Sequence, residues 1–509
     1  MLETNFSIVD WIIVGVYLAG TVGIGLWVNR YIASMSDFLV AGRTLKTRVA
    51  VATMIGSELG LVTAMYSAQK GFTGGFAAFH IGLIAGVMTL MVGLTGFIVV
   101  PLRRMGVMTI PEFYYKRFDS RGLRIFGGLL LAVSGILNMG MFLKAGAIFV
   151  TGLTGMTDPM AVKIVMTVMI LLVLTYTTLG GMIAVVITDY IQFVVLSIGL
   201  LIAVILAVVH LGWSDIVETV GTVHGTAGFD PLNDAGFGPS YVTWMFFIGV
   251  VACSVWQTAV MRACAAESVE VVRRLYIWSS IGFMIRFIIP QFLGICALVY
   301  LFNHPEAKAM FFSDGAIIPE KSMQAMPIFL SQLLPVGLIG LVGAGMLAAF
   351  MSTHDTYLLC WASVITEDVI NPGVGHRLST QQRLTITRIL LFLIAAFLLV
   401  WSMWYELGQD LWDYMAVTGA IYFTGAFAVL ACGIYFKRAS VVGAYLALLT
   451  GLGSVLGLGP VQAGLGIKEL LVEHGIGSDH IGLGCVLLAV VMMFVGSILF
   501  PDKKKEESS

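Results

Sequence analysis

The sequence predicts an all-α membrane protein with thirteen transmembrane helices. Three observations predict it. The 509-residue chain is 59% hydrophobic and only 11% charged, against about 25% charged residues in a soluble domain. Apolar stretches near the length of about 20 residues that crosses a bilayer recur thirteen times. Lys and Arg crowd into alternate loops, as orientation in a membrane demands.

The stretches run 9–31, 46–70, 76–102, 122–153, 160–178, 182–209, 241–263, 272–302, 334–367, 383–403, 410–435, 440–459 and 480–500, here spans 1 to 13. Span 1 is too long and too Gly-rich for a removable signal peptide and lacks a cleavage site. Span 2 carries Gly56-Ser57-Glu58-Leu59-Gly60 at mid-depth. Two glycines around a Ser-Glu pair fit a helix unwound at its centre, which frees carbonyls for a cation. They equally fit tight helix packing, with Glu58 bridging to a neighbour.

Span 4 contains Lys144 and span 8 contains Arg286. Each buried cation needs an anion, a carbonyl or water, and Glu58, Asp189 and Asp355 are the internal anions. Span 6 opens on Gly180-Gly181 and places Asp189 one or two turns inside its cytoplasmic end, where capping, pairing and ion handling are all open. Span 9 holds Met351-Ser352-Thr353-His354-Asp355-Thr356. A charged Asp at the bilayer centre costs about 2.5–3.5 kcal/mol on insertion scales, so such a cluster points to a bound species, an ion first. Ser and Thr alone would carry less, since their hydroxyls commonly bond the carbonyl four residues back. Loops 211–240 and 303–333 are punctuated by Gly and Pro and are expected to form lids or short surface helices.

Most of the 28 Lys and Arg sit in or beside the loops containing Arg43, Arg103, Arg262, Arg383 and Lys437 and in the tail Lys503-Lys504-Lys505. The opposite loops are acidic, with Asp215, Glu218, Asp230, Asp234, Glu306 and Asp314. The expected orientation is N-terminus outside and C-terminus cytoplasmic. The six Cys lie almost entirely in apolar stretches and read as buried thiols, not a disulfide framework. No G-x-x-x-x-G-K-[ST] loop is present, so no ATP motor is expected. The eight His are scattered, no H-E-x-x-H occurs, and no enzyme is expected. Neither is a nucleic-acid partner nor an obligate protein partner; the expected partners are a small solute and the bilayer.

Four pieces together resemble the sodium/solute symporter family across essentially the whole chain. They are Thr109-Ile110-Pro111-Glu112-Phe113 with Lys116-Arg117-Phe118, Gly180-Gly181 with Thr188-Asp189-Tyr190-Ile191-Gln192, Ala348-Ala349-Phe350-Met351-Ser352-Thr353, and Thr366-Glu367-Asp368. The resemblance implies a LeuT-type core of two inverted five-helix repeats, and it makes a bacterial inner membrane the expected location. The implied division is an N-terminal helix and inner loop (1–45), a first repeat of spans 2–6 (46–210), an outer loop (211–240), an inverted second repeat of spans 7–11 (241–436), two C-terminal helices (437–501) and a cytoplasmic tail (502–509).

By the same resemblance, backbone oxygens of Gly56, Leu59 and Ala349 join side-chain oxygens of Ser352 and Thr353 around a co-transported sodium ion. A candidate second cation or proton site falls on Asp189, Asp355 and Thr356, with Asp355 standing where hydroxyl residues are common in the family. Substrate contacts are expected from Ser57, Glu58, Lys144, Trp256, Gln257 and Arg286. The expected activity is sodium-coupled symport of a small polar organic solute (amino acid, sugar, carboxylate or vitamin) by alternating access. The alternative is a proton-coupled symporter using Asp355, Asp189, Glu58 or His354.

Overall fold

A computed structural model describes residues 4–28, 44–156, 158–313, 315–406 and 410–502; within helices, the side chains of 22, 24–28, 176 and 178–193 are outside the description. Among the described residues, eight helices are long and apolar enough to cross a membrane, or nine if the bent pair Gly238–Ser254 and Gln257–Ala265 forms one crossing. Three shorter apolar helices, Ile8–Thr21, Pro159–Thr175 and Val441–Gly457, lie at spans 1, 5 and 12. Apolar residues facing outward, such as Leu83, Val87, Leu201, Val400 and Leu487, give these helices their lipid-facing surface.

Span 2 is two helices, Thr47–Glu58 and Leu61–Gly74, parted at Leu59–Gly60. Span 7 is also two, Gly238–Ser254 and Gln257–Ala265, bent by 41° at Val255–Trp256. Span 8 is Val269–Asn303, continuous through Pro290. Span 9 is Leu338–Val364, prolonged by a π-helical turn, Ile365–Ile370.

Spans 5 and 6 were expected as separate helices, whereas helical hydrogen bonding runs unbroken over Pro159–Leu211. A straight helix would put Met169 and Leu196 about 40 Å apart. Yet Met169 packs beside Phe350 and Leu196 beside Gly345, on adjoining turns of span 9. The run therefore bends back between those two points, and both of its halves pack on span 9.

The long loops carry structure as expected. Trp213–His224 is a helix, and 305–324 holds a short helix, a two-residue hairpin and a 3-10 turn. Span 1 docks on span 9 through Asp10, which is fully buried. Its Oδ1 accepts from Gly337 N (2.7 Å) and Gly340 N (2.9 Å), capping the helix that begins at Leu338, where a negative charge is favoured.

Both ends of the bundle are tied by ions. At one end, Lys70 Nζ lies 2.9 Å from Asp410 and 2.8 Å from Asp413. The Tyr241 hydroxyl donates to Asp413 (2.9 Å), and Gln69 donates to Ser322 (2.8 Å). This network joins spans 2, 7 and 11 and the loop turn. At the Arg-rich end, two of the sequence motifs meet. Thr109 caps the helix Ile110–Phe118 and donates to Asp368 (3.0 Å), which Arg124 also binds (2.8 Å). Arg383 pairs with Glu367 at 2.8 Å.

Candidate functional site

The break in span 2 sits against span 9. Leu59 N still bonds back to Ile55 O (2.7 Å), and Ala64 N bonds to Gly60 O (3.0 Å). Among the described residues, no backbone bond across the break accepts at the Gly56, Ser57, Glu58 or Leu59 carbonyls. The unwinding is narrower than the sequence suggested. Gly56 stays in the last helical turn, and only Leu59 and Gly60 leave it.

Thr353 reaches across to this break. Its hydroxyl donates to Ala349 O (3.0 Å) in its own helix and approaches Ser57 O at 3.4 Å. Gly60 is the point of closest approach, because a Cβ there would overlap the Thr353 hydroxyl and stand 3.5 Å from Ala349 O. Ser352 is fully buried on the same helix. Carbonyl and hydroxyl oxygens are hard, neutral groups of the kind that can replace the water of an alkali cation. Among the described residues, no cluster of three or more His, Cys, Asp or Glu is placed to hold a metal ion.

The tight contact gives a first expectation. Gly60→Ala drives a methyl into Thr353, and overpacking of this kind costs about 1–3 kcal/mol. The variant should unfold at lower temperature and lose its response to sodium. Adding Thr353→Ala should restore thermal stability without restoring the sodium response. Full retention of that response by Gly60→Ala would show that the helices need not touch.

Beside the break lies a cavity of about 70 Å³ lined by Ser57, Glu58, Asn138, Trp256, Tyr66 and Arg286, with Thr353 on its wall. Arg286 and Glu58 form a buried ion pair at 2.7 Å. Thr258 adds a hydroxyl to the other Glu58 oxygen (3.3 Å), and the guanidinium lies 4.0 Å above the Phe283 ring. The pair arises because span 8 runs beside the broken span and each buried charge needs a partner. The cavity thus has no net charge from its walls. Trp256 is held by a bond from its Nε1 to the Tyr357 hydroxyl (3.0 Å).

Two expected contacts are not on this wall. Lys144 donates to Tyr405 O (3.0 Å), so its partner is a carbonyl at the end of span 10. Gln257 turns away from the cavity, accepting from Ile110 N (2.9 Å) and donating to Met108 O (3.3 Å), and so docks the short helix 110–118. His354 is buried, with Nδ1 3.0 Å from Phe350 O and its ring between Phe350 and Phe142, a packing role. Asp355 and Thr356 are fully buried one turn further on. The Asp189 side chain lies outside the described residues.

The sequence reading missed several residues. Arg262, counted there as a loop cation, is 1% exposed. It donates to Thr53 O (3.3 Å), Thr258 O (3.0 Å) and the Thr356 hydroxyl (3.2 Å). The break at Val255–Trp256 has no Gly or Pro to announce it. Asn138 donates to Met415 O (2.7 Å); a lone amide in an apolar span was signal enough to find it.

The profile described as "Sodium:solute symporter family" matches residues 38–451. The chain is 26% identical to a sodium/glucose cotransporter of Vibrio parahaemolyticus, over 88% of this chain and 84% of that one. It is 23% identical to a sodium/sialic acid symporter of Aliivibrio fischeri, over 90% and 88%. Among solved structures, it is similar to a Na+-coupled sialic acid symporter in a substrate-bound outward-open state (TM-score 0.77, 20% identity, 98% of this chain and 100% of that one). It is also similar to a structure of MhsT in complex with L-phenylalanine (TM-score 0.52, 14% identity, 90% and 98%).

Proposed function

The chain belongs to the sodium:solute symporter family, and from that premise we propose that it imports a small polar organic solute by alternating access between two inverted repeats. It is a sodium-coupled membrane transporter of a solute and not an enzyme. The observation that carries the ion site is Thr353 reaching Ser57 O at the break, with Gly60 leaving no room between the spans. Sodium would bind there among the oxygens of Gly56, Leu59, Ala349, Ser352 and Thr353. Solute would bind next door, against Ser57, Glu58, Trp256 and Arg286. Asp355 and Thr356 are proposed to lie toward a second cation position with Asp189.

Paired breaks in spans 2 and 7 support the inverted-repeat reading, since half-helix ends at a midplane are how such cores hold ions. Reversal of the run Pro159–Leu211 supports counting spans 5 and 6 separately, hence thirteen. The cavity of about 70 Å³ has room for a handful of waters, so a solute enters when its walls part. The basic loops support placing the Arg-rich end in the cytoplasm, and the Lys70 network then closes the outer side. One sodium ion crossing 100 mV and a tenfold gradient supplies about 3.7 kcal/mol, enough to concentrate a neutral solute roughly five-hundredfold. The comparisons lend the proton-coupled alternative no support.

The test is thermal unfolding of purified protein against amino acids, sugars, carboxylates and vitamins, with sodium or potassium as the only cation. A solute that raises the unfolding temperature only in sodium is the expected result. Equal stabilisation in both salts would overturn the coupling.

A further inference from the structure

A groove of about 710 Å³ runs between the first half of span 2 and the start of span 8, away from the ion and solute sites. Arg48 and Arg274 stand along it, with Thr47 beside them and Val51, Ile55 and Trp278 lining its apolar part. Both arginines are exposed, and among the described residues neither makes an ion pair within 4.0 Å. Glu270 lies one turn before Arg274 and feels the charges of Arg274 and Arg104. Trp278 is 60% exposed, and Val49, Ile281 and Ile285 are exposed on the same two helices. Such a surface faces hydrocarbon, while the arginines sit where the spans leave it. The floor is closed by Ile55, which packs onto Gly282 so tightly that no Cβ fits there.

We propose that this groove binds an anionic phospholipid of the inner leaflet. Arg48 and Arg274 take the phosphate, and an acyl chain lies along Val51, Ile55 and Trp278. The inference rests on the reading of the Arg-rich end as cytoplasmic. A guanidinium matches a phosphate by two parallel hydrogen bonds, and basic pockets between helices on that face select anionic headgroups. An exposed Trp at the boundary suits the interface between headgroups and tails. The same two helices carry Glu58 and Arg286 further in, so a lipid bridging their inner ends holds together the walls of the solute cavity.

The test uses the full chain in nanodiscs of phosphatidylcholine with one fifth phosphatidylglycerol, with retained lipid counted by native mass spectrometry. Wild type is expected to retain phosphatidylglycerol over phosphatidylcholine in a ratio about thirtyfold above the bulk ratio, two arginines' share of surface attraction. Arg48→Gln with Arg274→Gln should fall to the bulk ratio. Lys437→Gln with Arg438→Gln, which removes the same charge from exposed sites on the same face, should behave as wild type. Equal enrichment in all three proteins would overturn the proposal. So would displacement by millimolar inorganic phosphate, which would mark a site for the free ion. Sodium-dependent stabilisation by solute is read on the same samples, and its absence would sink the transport reading while leaving the lipid result standing.

Discussion

Thr353→Val combined with Ser352→Ala is expected to remove the sodium response altogether. Two hydroxyls are lost from the proposed sodium site. A hydrogen bond to a charged group contributes about 1.5–3 kcal/mol, and an oxygen on a bare cation is taken here as comparable. One lost ligand then weakens sodium binding roughly 10- to 150-fold, and two carry it beyond attainable concentrations. Thr353 has the larger share, because its hydroxyl is the group that touches the opposite helix at 3.4 Å. The measurement is the sodium-induced rise in unfolding temperature, with potassium as reference, which needs no knowledge of the solute. Thr353→Ser keeps the oxygen and should keep most of the rise. An intact sodium response in the double variant would place the ion elsewhere.

Breaking the Glu58–Arg286 pair should produce a large loss of stability. Both side chains are nearly buried, 5% and 11% exposed. Arg286→Gln strands Glu58 as an uncompensated charge, which costs about 3–5 kcal/mol. Glu58→Gln alone strands the arginine, with a similar cost. Replacing both by Gln removes both charges, so the double variant should be more stable than either single one. Thermal unfolding of the four proteins closes the cycle. A double variant that merely sums the single losses would mean that the two charges act independently. The pair also bears on selectivity. Its charges cancel, so a solute carrying a net charge must outbid one of them for the other, whereas a neutral one need not.

Much of this was legible in the sequence because membrane depth makes polar groups conspicuous. Gly56 and Gly60 around Ser57-Glu58 fitted either a break or tight packing, and the structure shows a break at Leu59–Gly60 with Gly60 also packed against Thr353. Thr353, singled out in span 9, reaches that break at Ser57 O, and the buried Arg286 was expected to need an anion. The rest failed for physical reasons. The break at Val255–Trp256 involves neither Gly nor Pro. The bend is left to tertiary packing, with the amides of both residues sharing the Val251 carbonyl (2.9 Å each). Arg262 was assigned to a loop because charge counting assumes that a cation near a span end is solvated, and three oxygen partners make burial tolerable. Lys144 was assigned to the cavity because it is a cation inside a span, yet a long stem can carry its ammonium to a distant carbonyl. Gln257 neighbours Trp256 in sequence, but Trp256 is extended at the break while Gln257 opens the helix after it, and the two face different partners.

Asp10 bears on how the transporter could move. Its carboxylate caps span 9 from span 1, a helix outside the proposed ten-helix core. Span 9 is thereby moored to a flank of the protein outside the two proposed repeats. An ion lodged between Thr353 and the broken span would then act as a removable rivet through a sliding joint. Inserting it fixes the travelling half to the anchored half, and its departure alone unfastens them.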